Sequence, residues 1–261
     1  MATPYFDHPR PIAFAHRGGA AHGPENSLRA FARAADLGYT YLETDARSTR
    51  DGALIAFHDA TLDRATDMKG EVSALTYQQL SAARVGGSEP IPLVEDVLGS
   101  FPDHRFNIDL KDAGTIEPLV SALQRTGAWD RVCIASFSGR RLLDAQRRLD
   151  RPVCLALPPA AIVALRYLGL PGKAVAASVT RLGAQCAQVP LRIATRAFIR
   201  RAHELGLQVH VWTLNTRADI EQALDLGADG VMTDEIALLR DVLAERGQWH
   251  PRVGCSPRSA A

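Results

Sequence analysis

Glu43 and Asp45 stand two residues apart in the run Tyr41-Leu42-Glu43-Thr44-Asp45. On a strand, that spacing sends both carboxylates to one face. Asp109 and Lys111 repeat it at the end of a second run, Asn107-Ile108-Asp109-Leu110-Lys111. Adjacent strands lie about 4.8 Å apart, so the three acids can converge. At about 5 Å and an effective dielectric of roughly 20, each like-charged pair costs about 3 kcal/mol. Such a cluster needs protons or a cation, and all-oxygen ligation favours a hard ion, Mg2+ or Ca2+. A lone E-x-D is far more often a pair of solvated strand-end residues, so the neighbours decide.

Those neighbours are rich in proton-transfer and anion-binding groups. His16-Arg17-Gly18-Gly19 closes the first expected strand, and Pro24-Glu25-Asn26-Ser27 leads from it into a helix. His58-Asp59 closes another strand and is followed by Thr61-Leu62-Asp63-Arg64. Asp59 is expected to orient His58 or cap the turn rather than react. Trp212 precedes Thr213 and Asn215 near a strand end, which makes it either a core residue or a pocket wall. Gln188, at the end of the sixth strand, is a weaker pocket candidate.

The elements that must position these groups alternate regularly. Ile116, Leu119, Val120 and Leu123 fall at i, i+3, i+4 and i+7 before Gly127, the pattern of an amphipathic helix with a glycine stop. Leu28, Phe31, Ala32 and Ala35 precede Gly38 in the same way. Phe198, Ile199, Ala202 and Leu205 precede Gly206, and Ile220, Ala223 and Leu224 precede Gly227. An apolar run follows each glycine, so βα units recur. Barrel strands are expected near residues 11–16, 40–45, 105–110, 131–136, 152–157, 185–189, 207–213 and 229–233, with 174–179 competing for the sixth. The expectation is an α/β fold, a (β/α)8 TIM barrel. Residues 46–104, with a strand-like run at 54–57, form an insertion in its second unit. A single domain over 1–246 and a flexible tail over 247–261 complete the layout. Active sites of such barrels gather at the C-terminal strand ends, where the groups named above fall.

Taken in order, the motifs are specific. H-R-G…P-E-N-S at 16–27, E-T-D at 43–45, H-D…T-L-D-R at 58–64, G-E-V at 70–72, I-P-L-V-E-D-V-L at 91–98, N-I-D-L-K at 107–111, V-W-T-L-N at 211–215 and G-A-D-G-V-M-T-D at 227–234 resemble the glycerophosphodiester phosphodiesterase family from His16 to about Leu238. The resemblance implies hydrolysis of a small-molecule glycerophosphodiester to glycerol 3-phosphate and an alcohol. It implies one divalent cation on Glu43, Asp45 and Asp109, with His16 and His58 as general acid and base. It also implies Arg17 and Lys111 on the phosphate and Trp212 at the substrate pocket. The family more often carries Glu where this chain has Asp109, which shortens the reach to the ion. With a divalent ion and two cations against three acids, the site sums to about +1, suited to a diester monoanion. Two further readings share the same residues: a lysophospholipase D-type activity on lipid substrates, and a barrel that binds phosphodiesters without turnover.

The totals narrow the partners. The 261 residues carry 30 Lys+Arg against 29 Asp+Glu, a net charge of +1, without the basic excess of a nucleic-acid binder. No run approaches the roughly 20 apolar residues of a membrane span. The start of the chain does not read as a signal peptide, because Asp7 and Arg10 precede any apolar run. The four cysteines, Cys133, Cys154, Cys186 and Cys255, make no C-x-x-C pair, and the first three, in apolar runs, are expected as buried thiols of a cytoplasmic protein. The segment from Ala160 to Leu170 has one charge, Arg166. It is either a packing helix or an apolar rim in transient contact with lipid. Oligomeric state is not legible.

Overall fold

Eight parallel strands build this fold, and some of them, such as Ile12–Ala15 and Val132–Ala135, are unbroken apolar runs buried on both faces. The computed structural model describes residues 4–167 and 173–252. The first units run β1 (Ile12–Ala15), α1 (Leu28–Asp36), β2 (Tyr41–Ser48), β3 (Leu54–Ala56) and α2 (Tyr77–Leu80). Then come β4 (Arg84–Val85), β5 (Glu89–Pro90), α3 (Val94–Ser100), β6 (Arg105–Leu110), α4 (Ile116–Thr126), β7 (Val132–Ala135) and α5 (Gly139–Arg148). The rest follow as β8 (Cys154–Ala156), α6 (Pro159–Tyr167), α7 (Lys173–Leu182), β9 (Ala184–Pro190), α8 (Arg196–Glu204), β10 (Gln208–Trp212), α9 (Arg217–Leu226), β11 (Gly230–Thr233) and α10 (Ile236–Glu245).

The order β1-β11-β10-β9-β8-β7-β6-β2 closes on itself through a β1–β2 pairing, so the eight parallel strands form a barrel. β3 runs antiparallel on the far half of β2, with Ala46 opposite Ala56. All eight expected barrel strands are present. The rival stretch 174–179 lies in helix α7, and β9 takes the sixth place.

Three apolar clusters hold the molecule together. The largest fills the layer between barrel and helices. A second fills the bore, with Ile12, Phe14, Tyr41 and Met232 among its residues. The third, built on Ile55, Phe57, Leu62 and Leu80, belongs to the insertion. α3 lies within the 46–104 stretch but buries Val94, Val97 and Leu98 in the main layer, so it is the second helix of the barrel ring. In α1 the buried face is Ala30, Phe31 and Ala34, not Ala32 and Ala35. The turn at Gly18 rests on Ala30: a Cβ on Gly18 would come within 2.7 Å of it. That close approach sets the rotation of the helix.

Residues 248–252, expected to be frayed, pack back on the barrel. Trp249 meets the Tyr39 ring edge-on at 5.2 Å, and the Arg252 N–H donates to the Gly38 carbonyl at 3.0 Å. Leu168 to Leu170 of the apolar segment, and Cys255, lie outside the described residues. No helix among the described residues is long and apolar enough to cross a membrane.

His104, just before β6, is 5% exposed and neither ring nitrogen has a hydrogen-bond partner. Burial, then the charges of Arg252 and Arg131, push its pKa down to about 4. In the unfolded chain it takes a proton near pH 6.5, so stability falls as pH drops from there to about 4. The loss is up to about 3 kcal/mol. His104→Leu is expected to shrink the difference in denaturant midpoint between neutral pH and about pH 4. An unchanged difference would mean that His104 is protonated in the folded state.

Candidate active site

His16 directly follows β1, one residue beyond the register pairs Ala15↔Leu42 and Ala15↔Thr233. That register sets it beside Glu43 and Asp234. Its Nδ1 is 2.6 Å from Asp234 Oδ1, and its Nε2 is 3.8 Å from Glu43 Oε2. A carboxylate only accepts, so Nδ1 carries the hydrogen and Nε2 is left for chemistry. Asp234 is itself gripped by Asn215, which donates from Nδ2 to Oδ2 at 2.8 Å and accepts the Asp234 N–H at 2.9 Å. Burial pulls the His16 pKa down, but Glu43 and Asp234 outweigh it, and the net shift is upward.

The turn after His16 holds Arg17 at φ +51° and Gly18 at φ +78°, where glycine is the residue at ease. This conformation turns the Arg17 N–H onto Glu43 Oε2 at 2.9 Å and its Nε onto Asp45 Oδ2 at 3.1 Å. β2 and β6 pair with Glu43 opposite Asn107 and Asp45 opposite Asp109, so the three acids face one space. They are 4%, 1% and 7% exposed respectively, and their environments differ. Burial raises the Glu43 pKa to about 7, with His16 opposing and Asp45 adding to the rise. Burial also pushes Asp45 up, but Lys111, Arg17 and His58 overcome it and hold it below the usual value. At Asp109 burial wins over Lys111 and the pKa is raised. Lys111 Nζ stands between Asp45 Oδ1 at 2.8 Å and Asp109 Oδ2 at 2.6 Å.

The insertion supplies the second histidine. His58 follows β3, and its Nδ1 is 2.6 Å from Asp59 Oδ1, the orienting role expected of Asp59. Arg64 donates from Nε to Asp59 Oδ2 at 2.5 Å and reaches Glu25 with both terminal nitrogens. Glu25 in turn accepts from Arg17 Nη1 at 3.0 Å. An ion-paired chain therefore runs from His58 through Asp59, Arg64 and Glu25 to Arg17. Asn26, at φ +55°, donates from Nδ2 to Asp45 Oδ2 at 2.9 Å.

One cavity, with about 770 Å3 of empty space partly open to solvent, is lined by His16, Arg17, Glu43, Asp45, His58, Asp109, Lys111, Gln188 and Trp212. All nine catalytic, metal-ligand and substrate-binding candidates reach it. Gln188 lines it from the floor, tied to Asn107 by a 2.7 Å bond from its Nε2. Trp212 stands on the apolar wall, edge-on to Phe137 at 5.8 Å. Ile162, within the segment expected as either a packing helix or an apolar rim, lines the cavity. The sequence reading did not single out Phe137 as a wall residue, nor Asp234, Asn215, Glu25, Asn26 and Arg64 as supports. The supports sit inside quoted motifs, which was the available signal. Phe137 had none, because a lone aromatic after a strand resembles any core residue.

The residues present fit a hard divalent ion. All three acids offer oxygen only, Asp109 Oδ1 is buried without a hydrogen-bond partner, and Glu43 is short of positive charge.

Barrels that gather bases, acids and cations at the C-terminal strand ends are enzymes, and this site, rich in cations beside its acids, is shaped for an anionic substrate. Residues 16–238 match the model of the Glycerophosphoryl diester phosphodiesterase family. The chain belongs to that family and is an enzyme of its class. It is 40% identical over 245 residues to a probable glycerophosphodiester phosphodiesterase 2 of Mycobacterium tuberculosis, covering 91% of this chain and 92% of that one. The fold is shared with a crystal structure from Silicibacter pomeroyi DSS-3 assigned to the same class. There the TM-score is 0.82 at 22% identity, over 95% of this chain and 100% of that one. It is shared too with an Oleispira antarctica phosphodiesterase solved with its product sn-glycerol-3-phosphate. That match has a TM-score of 0.78 at 21% identity, over 90% of this chain and 97% of that one.

Proposed function

We propose that this enzyme hydrolyses glycerophosphodiesters to glycerol 3-phosphate and an alcohol, with His16 and His58 as its general acid and base. The observation that carries this reading is their matched geometry: each Nδ1 is 2.6 Å from a carboxylate, Asp234 or Asp59. Each Nε2 is thereby left as the proton-transfer atom. One histidine takes a proton from the nucleophile, a water or the neighbouring glycerol hydroxyl, while the other returns a proton to the alcohol oxygen as its bond to phosphorus breaks. Where the hydroxyl attacks, a water then opens the cyclic phosphate to glycerol 3-phosphate. Arg17 and Lys111 carry the charge that develops on the phosphoryl oxygens. Glu43, Asp45 and Asp109 would hold one divalent cation, Mg2+ or Ca2+, which supplies Lewis-acid stabilisation of those oxygens. With Asp45 and Asp109 holding the ion, Lys111, here paired with both, would turn its ammonium to the substrate. The bound product of the Oleispira enzyme supports glycerol 3-phosphate as the phosphate product. Because His58 comes from the insertion, we treat barrel and insertion, residues 1–246, as one catalytic domain. The purified protein is expected to convert glycerophosphocholine to equal amounts of glycerol 3-phosphate and choline. Release of glycerol and phosphocholine, or no turnover with Mg2+ or Ca2+ present, would overturn the reading.

Lipid substrates have one observation in their favour. Phe137, Val163 and Tyr167 are 67%, 53% and 64% exposed, and Phe137 with Ile162 lines the cavity. α6 also packs, burying Ala161 and Leu165, so it is a packing helix with one edge at the mouth. If the mouth takes an acyl chain, each methylene it buries is worth about 0.8 kcal/mol. Ile162→Ser with Val163→Ser is then expected to raise KM for a lysophospholipid at least about tenfold and to spare glycerophosphocholine. Leu165 is excluded from the test because its loss would open the core. An unchanged ratio of kcat/KM for the two substrates would end the lipid reading.

A further inference from the structure

Beneath the catalytic cavity, inside the bore, three thiols meet. Cys133, Cys154 and Cys186 come from β7, β8 and β9, with Cys133 and Cys154 in direct register. All three are fully buried, and their sulfur atoms lie within 4.8 Å of one another. The Sγ atoms of Cys133 and Cys186 are 3.8 Å apart. A disulfide needs about 2.05 Å, so this pair is not bonded. Two sulfurs on one tetrahedral Zn2+, each about 2.3 Å from it, stand about 3.8 Å apart. The thiols meet at the distance of an S–H···S hydrogen bond, which is also the spacing that one shared ion requires.

Two buried polar side chains adjoin the cluster, each with an unpartnered atom. His210 of β10 is fully buried with no partner at Nδ1. Its Nε2 is 3.3 Å from Gln208 Oε1, and its ring lies against Phe14 in the bore at 4.8 Å. Tyr5 packs in the same bore cluster, and its buried hydroxyl has no partner. Burial and the three cysteines hold the Tyr5 pKa high, so it remains a donor.

We propose that Cys133, Cys154 and Cys186 form a three-thiolate soft-metal site whose occupant is Zn2+. Binding releases the three thiol protons and leaves a net charge of −1 in the bore. A donor offsets that charge: Gln188 Nε2, 3.8 Å from Cys186 Sγ. The ion would join three consecutive strands, β7 to β9, directly under Gln188. It is chemically distinct from the all-oxygen site above it, because thiolates select soft ions and carboxylates hard ones. One ligand per strand explains why no C-x-x-C spacing announces it.

The test uses the full-length enzyme grown with zinc or with cobalt and then dialysed, folded, against EDTA. The expected result is one zinc ion retained per chain. The cobalt-grown protein should show a thiolate-to-cobalt charge-transfer band, which Glu43, Asp45 and Asp109 cannot produce. Cys133→Ala with Cys186→Ala should lose both signals and melt at a lower temperature. In case that variant does not fold, unfolded wild-type protein is refolded with and without Zn2+, and zinc is expected to raise the melting temperature. Wild-type protein that keeps no zinc and shows no band would overturn the proposal, as would a band that survives the double substitution.

Discussion

Removing the divalent ion is expected to abolish turnover of glycerophosphocholine. Glu43, Asp45 and Asp109 bring three charges into one buried space, with Lys111 and Arg17 as their cations. Without an ion those cations stay committed to the acids, and a phosphodiester monoanion meets a site that is negative on balance. A bound divalent ion is worth several kcal/mol at a developing phosphoryl charge, so the loss should be about 10³-fold or more. The check is activity after brief chelation, followed by titration with Mg2+ and Ca2+ in separate arms. Asp109→Glu, with one more methylene, should shift the midpoint of that titration and keep activity. Full turnover after chelation would sink the ion assignment. Recovery in only one arm would name the ion.

The second large effect falls on the histidines. His16→Ala and His58→Ala should each lower kcat by about 10²-fold or more, the scale for losing a general acid or base. Neither residue anchors the core: His16 bonds to Asp234 at the cavity, and the His58 side chain is partly exposed. Melting temperatures should therefore stay close to that of the unmodified enzyme. Asp234→Asn is a graded control. It preserves volume but removes the charge that fixes His16 Nδ1–H, so kcat should fall less and the pH profile should shift. Near-normal kcat in either alanine variant would remove that histidine from the mechanism, whatever its position.

The barrel was legible because its signals are local. A strand buried on both faces must be apolar over four to eight residues, and glycine-stopped helices must return to such strands. That located β7 closely from residues 131–136, while alternating Phe106, Ile108 and Leu110 mark β6. The same locality failed at α1, where the choice between Ala30 and Ala32 depends on the turn at Gly18, a contact from another element. Within the site, Glu43, Asp45, Asp109, His16 and His58 could be named in advance because residue type and strand-end position constrain chemistry strongly. Their partners could not. Asp234 lies 218 residues from His16 in sequence, and only closure of β11 on β1 brings them together. The thiols are the extreme case: each of Cys133, Cys154 and Cys186 reads alone as a small core residue. Sequence determined which side chains were available and which face of each strand they occupy. Tertiary structure decided which of them meet, because registers between strands distant in sequence are set by packing of the whole barrel, not by any local run.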